Sequence, residues 1–206
     1  MPHFIPDLTT IVEATGLIGL TAIIFAESGL FIGFFLPGDS LLFTAGFLAS
    51  QGVFSIYWLV PLMVIAAVGG DSVGYWTGAK VGPMLFTRPD PFLFSQKRVQ
   101  QAKAFFEKHG PMSLILARFI PAVRTFTPIV AGVAEMEYRK FLTYNVVGGL
   151  IWGAGFPIAG YFMGSYIPDA DRYVLPIVGL IIIVSFLPFA RPLLTSLLKK
   201  KDTPIS

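Results

Sequence analysis

The sequence predicts an all-α integral membrane protein. Its expected plan is an inverted repeat with two re-entrant helical hairpins facing each other, about three full transmembrane helices and an interfacial amphipathic helix. Composition is the first observation behind this. The 206 residues are 54% hydrophobic and only 13% charged, with a mean hydropathy of +0.72, whereas soluble domains carry about a quarter charged residues. The second is a proline-broken apolar stretch, Ala117-Arg-Phe-Ile-Pro-Ala-Val-Arg-Thr-Phe-Thr-Pro-Ile-Val-Ala-Gly132. The third is a repeat: Ala45-Gly46 precedes Gly74-Tyr-Trp-Thr-Gly78 by 28 residues, and Ala131-Gly132 precedes Gly160-Tyr-Phe-Met-Gly164 by the same 28, an offset of 86 between the pairs.

The whole chain, 1–206, reads as a single membrane domain. Residues 1–15 are short and mildly acidic, and with no Lys or Arg before Lys80 the N-terminus reads as mature sequence. The first repeat half covers about 16–82. Its apolar stretch 16–35 is interrupted by Glu27, turns at Pro37-Gly38-Asp39 and continues as a run, 40–50, too short to span. We read 17–50 as a re-entrant hairpin; a spanning helix over 17–35 followed by a half-helix fits the same residues. Residues 54–78 are long enough to cross, and Gly74, Gly78 and Gly82 recur at the spacing that lets helices pack closely.

A polar connection, 83–110, follows. Pro89 and Pro91 keep its first part non-helical, and Ser95 is placed to cap a helix ending at Gly110. Val99, Ala102, Phe105 and Phe106 share one face of that helix, with Lys97, Gln100 and Lys103 around the others, as suits the membrane interface. The second half, about 111–166, opens with the arginine stretch. Two central arginines cost about 5–7 kcal/mol on insertion scales, and each large apolar residue returns only about 0.3–0.6. The ten such residues from Leu114 to Val133 therefore leave no surplus. Pro121 and Pro128 each remove a donor that lipid cannot replace, so the segment belongs inside protein or against a wet cavity. A span at 141–166, kinked at Pro157, completes this half. A C-terminal transmembrane helix, 173–190, and a basic tail, 191–206, end the chain.

Charge placement fixes the expected topology. Basic residues gather at 80–108, at Arg139 and Lys140, and from Arg191 through Lys199, Lys200 and Lys201. The positive-inside rule places all three clusters in the cytoplasm. That is possible only if 111–134 returns to its own side, so parity favours re-entry independently of the arginines. The two halves then enter from opposite faces, and the site is expected where their broken hairpins meet.

Five ionisable groups are expected at membrane depth: Glu27, Asp39, Asp71, Arg118 and Arg124. Charges are retained there mainly for ion and substrate paths. The arginines suit an anionic phosphate headgroup, which a guanidinium grips through two nitrogens. Glu27 and Asp39 can neutralise them, leaving Asp71 over, or other pairings can form; by count one carboxylate is in surplus and can load and release a proton. Glu27, with the most apolar neighbours, is the first candidate. Asp71 is explained equally well by packing between helices, and His109, a candidate relay, more simply by its place at a helix C-terminus.

These residues also carry a resemblance. Glu27 ahead of Phe35-Leu-Pro-Gly-Asp39, Gly70-Asp-Ser-Val-Gly-Tyr75 with Gly78, and Phe106-Glu-Lys-His-Gly110 are similar to the DedA family of bacterial inner-membrane proteins, the SNARE-associated or VTT-domain family. Arg118-Phe-Ile-Pro-Ala-Val-Arg124, Pro128-Ile-Val-Ala-Gly132, Asn145 and Trp152 continue the match, which covers roughly 16–164. The resemblance implies a lipid transporter that flips undecaprenyl phosphate or phosphatidylethanolamine, often using the proton motive force; distant eukaryotic relatives act as phospholipid scramblases. It carries a proton-coupling role to Glu27 and Asp39 and phosphate binding to Arg118 and Arg124, with Asp71, His109 and Asn145 as additional candidates.

The leading expectation is a proton-coupled translocase of the bacterial inner membrane with its C-terminus cytoplasmic. Its partners are the bilayer, protons and a lipid with an anionic phosphate headgroup, and its glycine faces are compatible with a homodimer. An uncoupled scramblase is the alternative. A membrane-embedded lipid phosphatase would need a histidine near its arginines, and only His109 is available. With no cysteine and two histidines, neither metal nor cofactor is expected, nor a nucleic-acid partner.

Overall fold

The computed structural model describes residues 8–29, 38–85, 104–106, 108, 110, 112–167, 176 and 179–180. Its principal helices are α1 (Leu8–Gly29), α2 (Gly38–Ser50), α3 (Ile56–Leu85), α4 (Met112–Ala117), α5 (Pro121–Val133) and α6 (Tyr138–Tyr166), with no strand among the described residues. Of the C-terminal helix expected at 173–190 only 176, 179 and 180 are described, and they are helical; the basic tail, Ser95, Pro37 and His109 lie outside the described residues.

Among the described residues two helices are long and apolar enough to cross a membrane, Ile56–Val81 within α3 and α6 itself. At about 1.5 Å per residue, the 30 residues of α3 and 29 of α6 both exceed the hydrocarbon thickness of about 30 Å. The first helix is broken. Gly16, at φ 62° and ψ −174°, interrupts α1 where the first half was expected to begin, in a conformation that glycine alone takes readily. α2 and α5 have 13 residues each, about 20 Å by the same rise, too short to span. α3 runs through Gly82-Pro83 and ends at Leu85, three residues past the 82 near which the first half was expected to end.

Both short helices stop in the same way. After α2, Gly52 N–H donates to Ala49 O and Val53 N–H to Leu48 O, with Gly52 at φ 84°. After α5, Glu135 N–H donates to Gly132 O and Met136 N–H to Ala131 O, with Glu135 itself at φ 56°. This paired closure satisfies carbonyls that the helix end would leave open.

Each short helix packs on the long helix of the other half, α2 on α6 and α5 on α3. Glycines permit it. A Cβ on Gly46 would run into the backbone of Pro157, and one on Gly160 into that of Phe43 and Phe47. A Cβ on Gly132 would meet the Tyr75 and Ala79 backbone, and one on Gly78 that of Ile129. Phe43 and Gly46 thus stand to α6 as Ile129 and Gly132 stand to α3, at the expected offset of 86. The long helices depart from it. Tyr75 and Gly78 occupy the places of Pro157 and Gly160, an offset of 82, so the equivalence of Gly74 with Gly160 read from the sequence is one turn out. Glycines four apart look alike in either register, and only backbone contact distinguishes them.

Packing is therefore the role of Gly78 and Gly132. Gly132→Val is expected to lower stability by at least about 1–3 kcal/mol through overpacking, read as a lower unfolding midpoint in detergent. Gly155, whose added Cβ would meet nothing within 4 Å, is the control: Gly155→Ala should cause no loss.

The interior divides into two apolar clusters. Leu20, Ile24, Leu42, Leu59, Met63 and Trp152 join α1, α2, α3 and α6; Tyr75, Leu114, Ala131 and Phe141 join α3, α4, α5 and α6. Between and beside them lie buried polar side chains, while Tyr57, Ile65, Leu150 and Phe162 face outward. Apolar outside and charged inside is the arrangement a bilayer selects.

Candidate functional site

The first group of charges forms where α1 ends and α2 begins. Gly29 and Gly70 bring the end of α1 against α3 backbone to backbone, leaving no room for a Cβ on either. Glu27, two residues earlier and 1% exposed, turns inward. Its Oε1 accepts the N–H of Gly38, the first residue of α2, at 3.1 Å. That amide is one of the donors a helix leaves unpaired at its start, and the helix dipole favours a carboxylate there. A Cβ at Gly38 would collide with the Glu27 carboxylate, so glycine is required for the seat.

Asp39 follows on the first turn of α2. Its Oδ1 accepts Trp152 Nε1–H from α6 at 2.6 Å and Arg124 Nη1–H from α5 at 2.5 Å. The other terminal nitrogen of Arg124, Nη2, donates to Glu27 Oε1. One guanidinium thus bridges two carboxylates rather than gripping one through both nitrogens. Its Cζ also lies 4.6 Å from the centre of the Trp152 ring, a cation–π contact strengthened by desolvation. Four helices meet at this group.

The second group lies beside it. Arg118, in the turn between α4 and α5, donates through Nη2 to Asp71 Oδ2 on α3 and to Asn145 Oδ1 on α6. Asn145 Nδ2–H donates in turn to Val68 O at 3.1 Å. Gly148 gives Arg118 its path, since a Cβ there would press on the arginine Cδ and Nε. All three side chains are buried.

The structure therefore brings together Glu27, Asp39 and Arg124, and separately Asp71, Arg118 and Asn145. Of the pairings the sequence left open, the structure takes the one in which Asp71 meets Arg118 while Glu27 and Asp39 share Arg124. Arg118 leaves the α4–α5 turn toward α3 and α6, where Asp71 and Asn145 stand, and Arg124 alone faces α1 and α2. Three carboxylates against two guanidiniums still leave one acid in surplus, and the surplus belongs to the Arg124 group. Within it, Glu27 Oε2 is buried without a hydrogen-bond partner among the described residues, a costly state for an ionised oxygen. Both arginines, with Asp71, Asn145 and Thr127, line one cavity of about 10 Å³, the room of about one water.

Trp152 is the functional candidate that charge reasoning did not single out. A tryptophan in an apolar span reads as core. The available signal was the family resemblance, in which Trp152 already stood; Gly148, Gly149 and Gly153 around it make room for Arg118 and for α3 at Val68 and Val64.

Comparison with known proteins agrees with this architecture. The VTT domain model matches residues 36–162. Protein DedA of Escherichia coli (strain K12) is 48% identical over 171 residues, 82% of this chain and 78% of that one. An uncharacterised membrane protein of Mycobacterium leprae is 46% identical over 166 residues, 81% of this chain and 74% of its own. Inner membrane protein YghB of Escherichia coli (strain K12) is 32% identical over 172 residues, 84% of this chain and 74% of that one. No solved structure matches the chain significantly. The domain match spans both short helices and nearly all of α6, and with these identities the chain belongs to the DedA family of VTT-domain membrane proteins.

Proposed function

We propose that this chain flips a lipid phosphate, such as undecaprenyl phosphate, or a phospholipid such as phosphatidylethanolamine, across the bacterial inner membrane, coupled to the proton motive force. The observation that carries the reading is Arg124 held between Glu27 and Asp39 with one carboxylate in surplus. In this reading α1–α2 and α4–α5 are re-entrant hairpins entering from opposite faces, and the C-terminus is cytoplasmic. The short lengths of α2 and α5 support it, as does their exchange of long-helix partners.

Arg124 is neutralised by Glu27 and Asp39. A lipid phosphate reaching the guanidinium replaces one of them, and the displaced carboxylate takes a proton rather than remain as a bare charge in lipid. Glu27 is the acid released, because its Oε2 already lacks a partner among the described residues. Departure of the phosphate on the other side lets the carboxylate lose that proton and return to Arg124. Binding and proton movement are thereby linked without any bond being made or broken in the lipid. The cavity at the arginines is too small for a phosphate, so loading requires the α4–α5 unit to move away from α3 and α6.

The test is flipping of labelled undecaprenyl phosphate in liposomes under an imposed pH gradient. Wild-type rates equal to those of protein-free vesicles would sink the proposal. Glu27→Gln keeps an acceptor for Gly38 and Arg124 but carries no titrating proton; its flipping is expected to lose its response to the gradient. An unchanged response clears Glu27 of the coupling role. Flipping by the wild type that ignores a protonophore would instead identify an uncoupled scramblase.

A further inference from the structure

Outside the charged site lies an apolar groove of about 720 Å³. It exists because the α4–α5 segment is broken. α4 is six residues long, the chain turns over 118–120, and residues of α4 and α5 line the groove together with Phe105 and Phe106. The residues facing it on α5, Val123, Phe126, Thr127 and Val130, recur at helical spacing on one side. Arg124 is on the other, and α5 is the most two-sided of the helices described.

We propose that this groove, walled by Phe105, Met112, Leu116, Val123, Phe126 and Val130, seats a hydrocarbon chain of the same lipid whose phosphate reaches Arg124 and Arg118. The inference rests on the lipid-phosphate reading given above. Continuity with the charged site commits the groove to that occupant. Thr127 borders both the groove and the small cavity lined by the two arginines, so an apolar trough and a pair of guanidiniums share a wall one side chain thick. The Thr127 hydroxyl donates to Val123 O at 2.6 Å, which satisfies it locally and leaves its methyl group as an apolar partition. Among the described residues that line the groove none is charged. Its volume falls within the range of about 300–1,000 Å³ typical of small-molecule sites. An amphiphile with an anionic head and an apolar chain matches the two compartments in order.

The full-length protein is reconstituted in phosphatidylcholine vesicles containing a trace of phosphatidic acid with a diazirine midway along one acyl chain. After irradiation, adducts are located by mass spectrometry. They are expected to favour residues 112–130 over outward positions such as Ile65 and Leu150 by about tenfold, a preference of about 1.4 kcal/mol. A phosphatidylcholine probe with the same chain should show no such preference. Leu116→Trp and Val123→Trp, which fill the groove from its two sides, should each remove most of the preference and leave labelling of Ile65 unchanged. Even labelling of all outward positions, equal labelling by the two probes, or retention of the preference in both folded variants would overturn the proposal. Preferential labelling without flipping in the same vesicles would refute translocation and leave the groove standing. Flipping with even labelling would do the reverse.

Discussion

Replacing Arg124 by glutamine is expected to abolish flipping and to lower stability by about 3–5 kcal/mol, the usual result of breaking a buried ion pair from one side. The change strands Glu27 and Asp39, both buried, without their shared cation. It also removes the charge that Trp152 covers. Loss of stability alone would make the result ambiguous, so Arg124→Lys is the informative companion. An ammonium keeps the charge, and the fold with it, but it is a point donor. It cannot set separate planar nitrogens against Glu27 and Asp39 while lying flat over the indole. Arg124→Lys is therefore expected to retain most of the thermal midpoint and to lose at least about tenfold in flipping rate, or about 1.4 kcal/mol of barrier. A folded Arg124→Gln protein with wild-type flipping would remove Arg124 from the mechanism.

Much of this site was legible before any coordinates. An arginine in a proline-broken apolar stretch has few affordable environments, and Arg118 and Arg124 pointed directly to a buried charged site. The Pro37-Gly38-Asp39 turn placed the start of α2 to within two residues, since the helix takes in Gly38 and Asp39, which the sequence reading left in the turn. The short length of 40–50 excluded a span. Which acid meets which arginine was not legible. Spacing along one helix says where a side chain emerges, but Asp71 and Arg118 are 47 positions apart and meet only because α3, α6 and the α4–α5 turn converge. The glycine register failed for a related reason. A repeat of four residues is one helical turn, so sequence similarity is nearly blind to a slip of that size, while close packing is not. Trp152 was hidden by its chemistry: an indole is apolar by composition and a hydrogen-bond donor by one atom.

The Arg118–Asp71 pair invites the second experiment with a large effect. Arg118→Met alone leaves Asp71 as an unpaired buried carboxylate, and Asp71→Leu alone leaves Arg118 with Asn145 as its remaining partner. Each single change is expected to cost about 3–5 kcal/mol. In the double variant neither charge remains, and apolar side chains of similar volume fill the space. Most of the loss should return, short of about 1–3 kcal/mol for Asn145 Oδ1 left without its donor, while Asn145 Nδ2 stays on Val68 O. This non-additivity, read from unfolding midpoints of the four proteins, measures the coupling. Flipping then separates two roles that stability alone cannot. If Arg118 binds phosphate with Arg124, the double variant is folded and inactive, which is the result we expect. If flipping survives, the pair serves only to hold the α4–α5 turn against α3 and α6, and the phosphate falls to Arg124 alone.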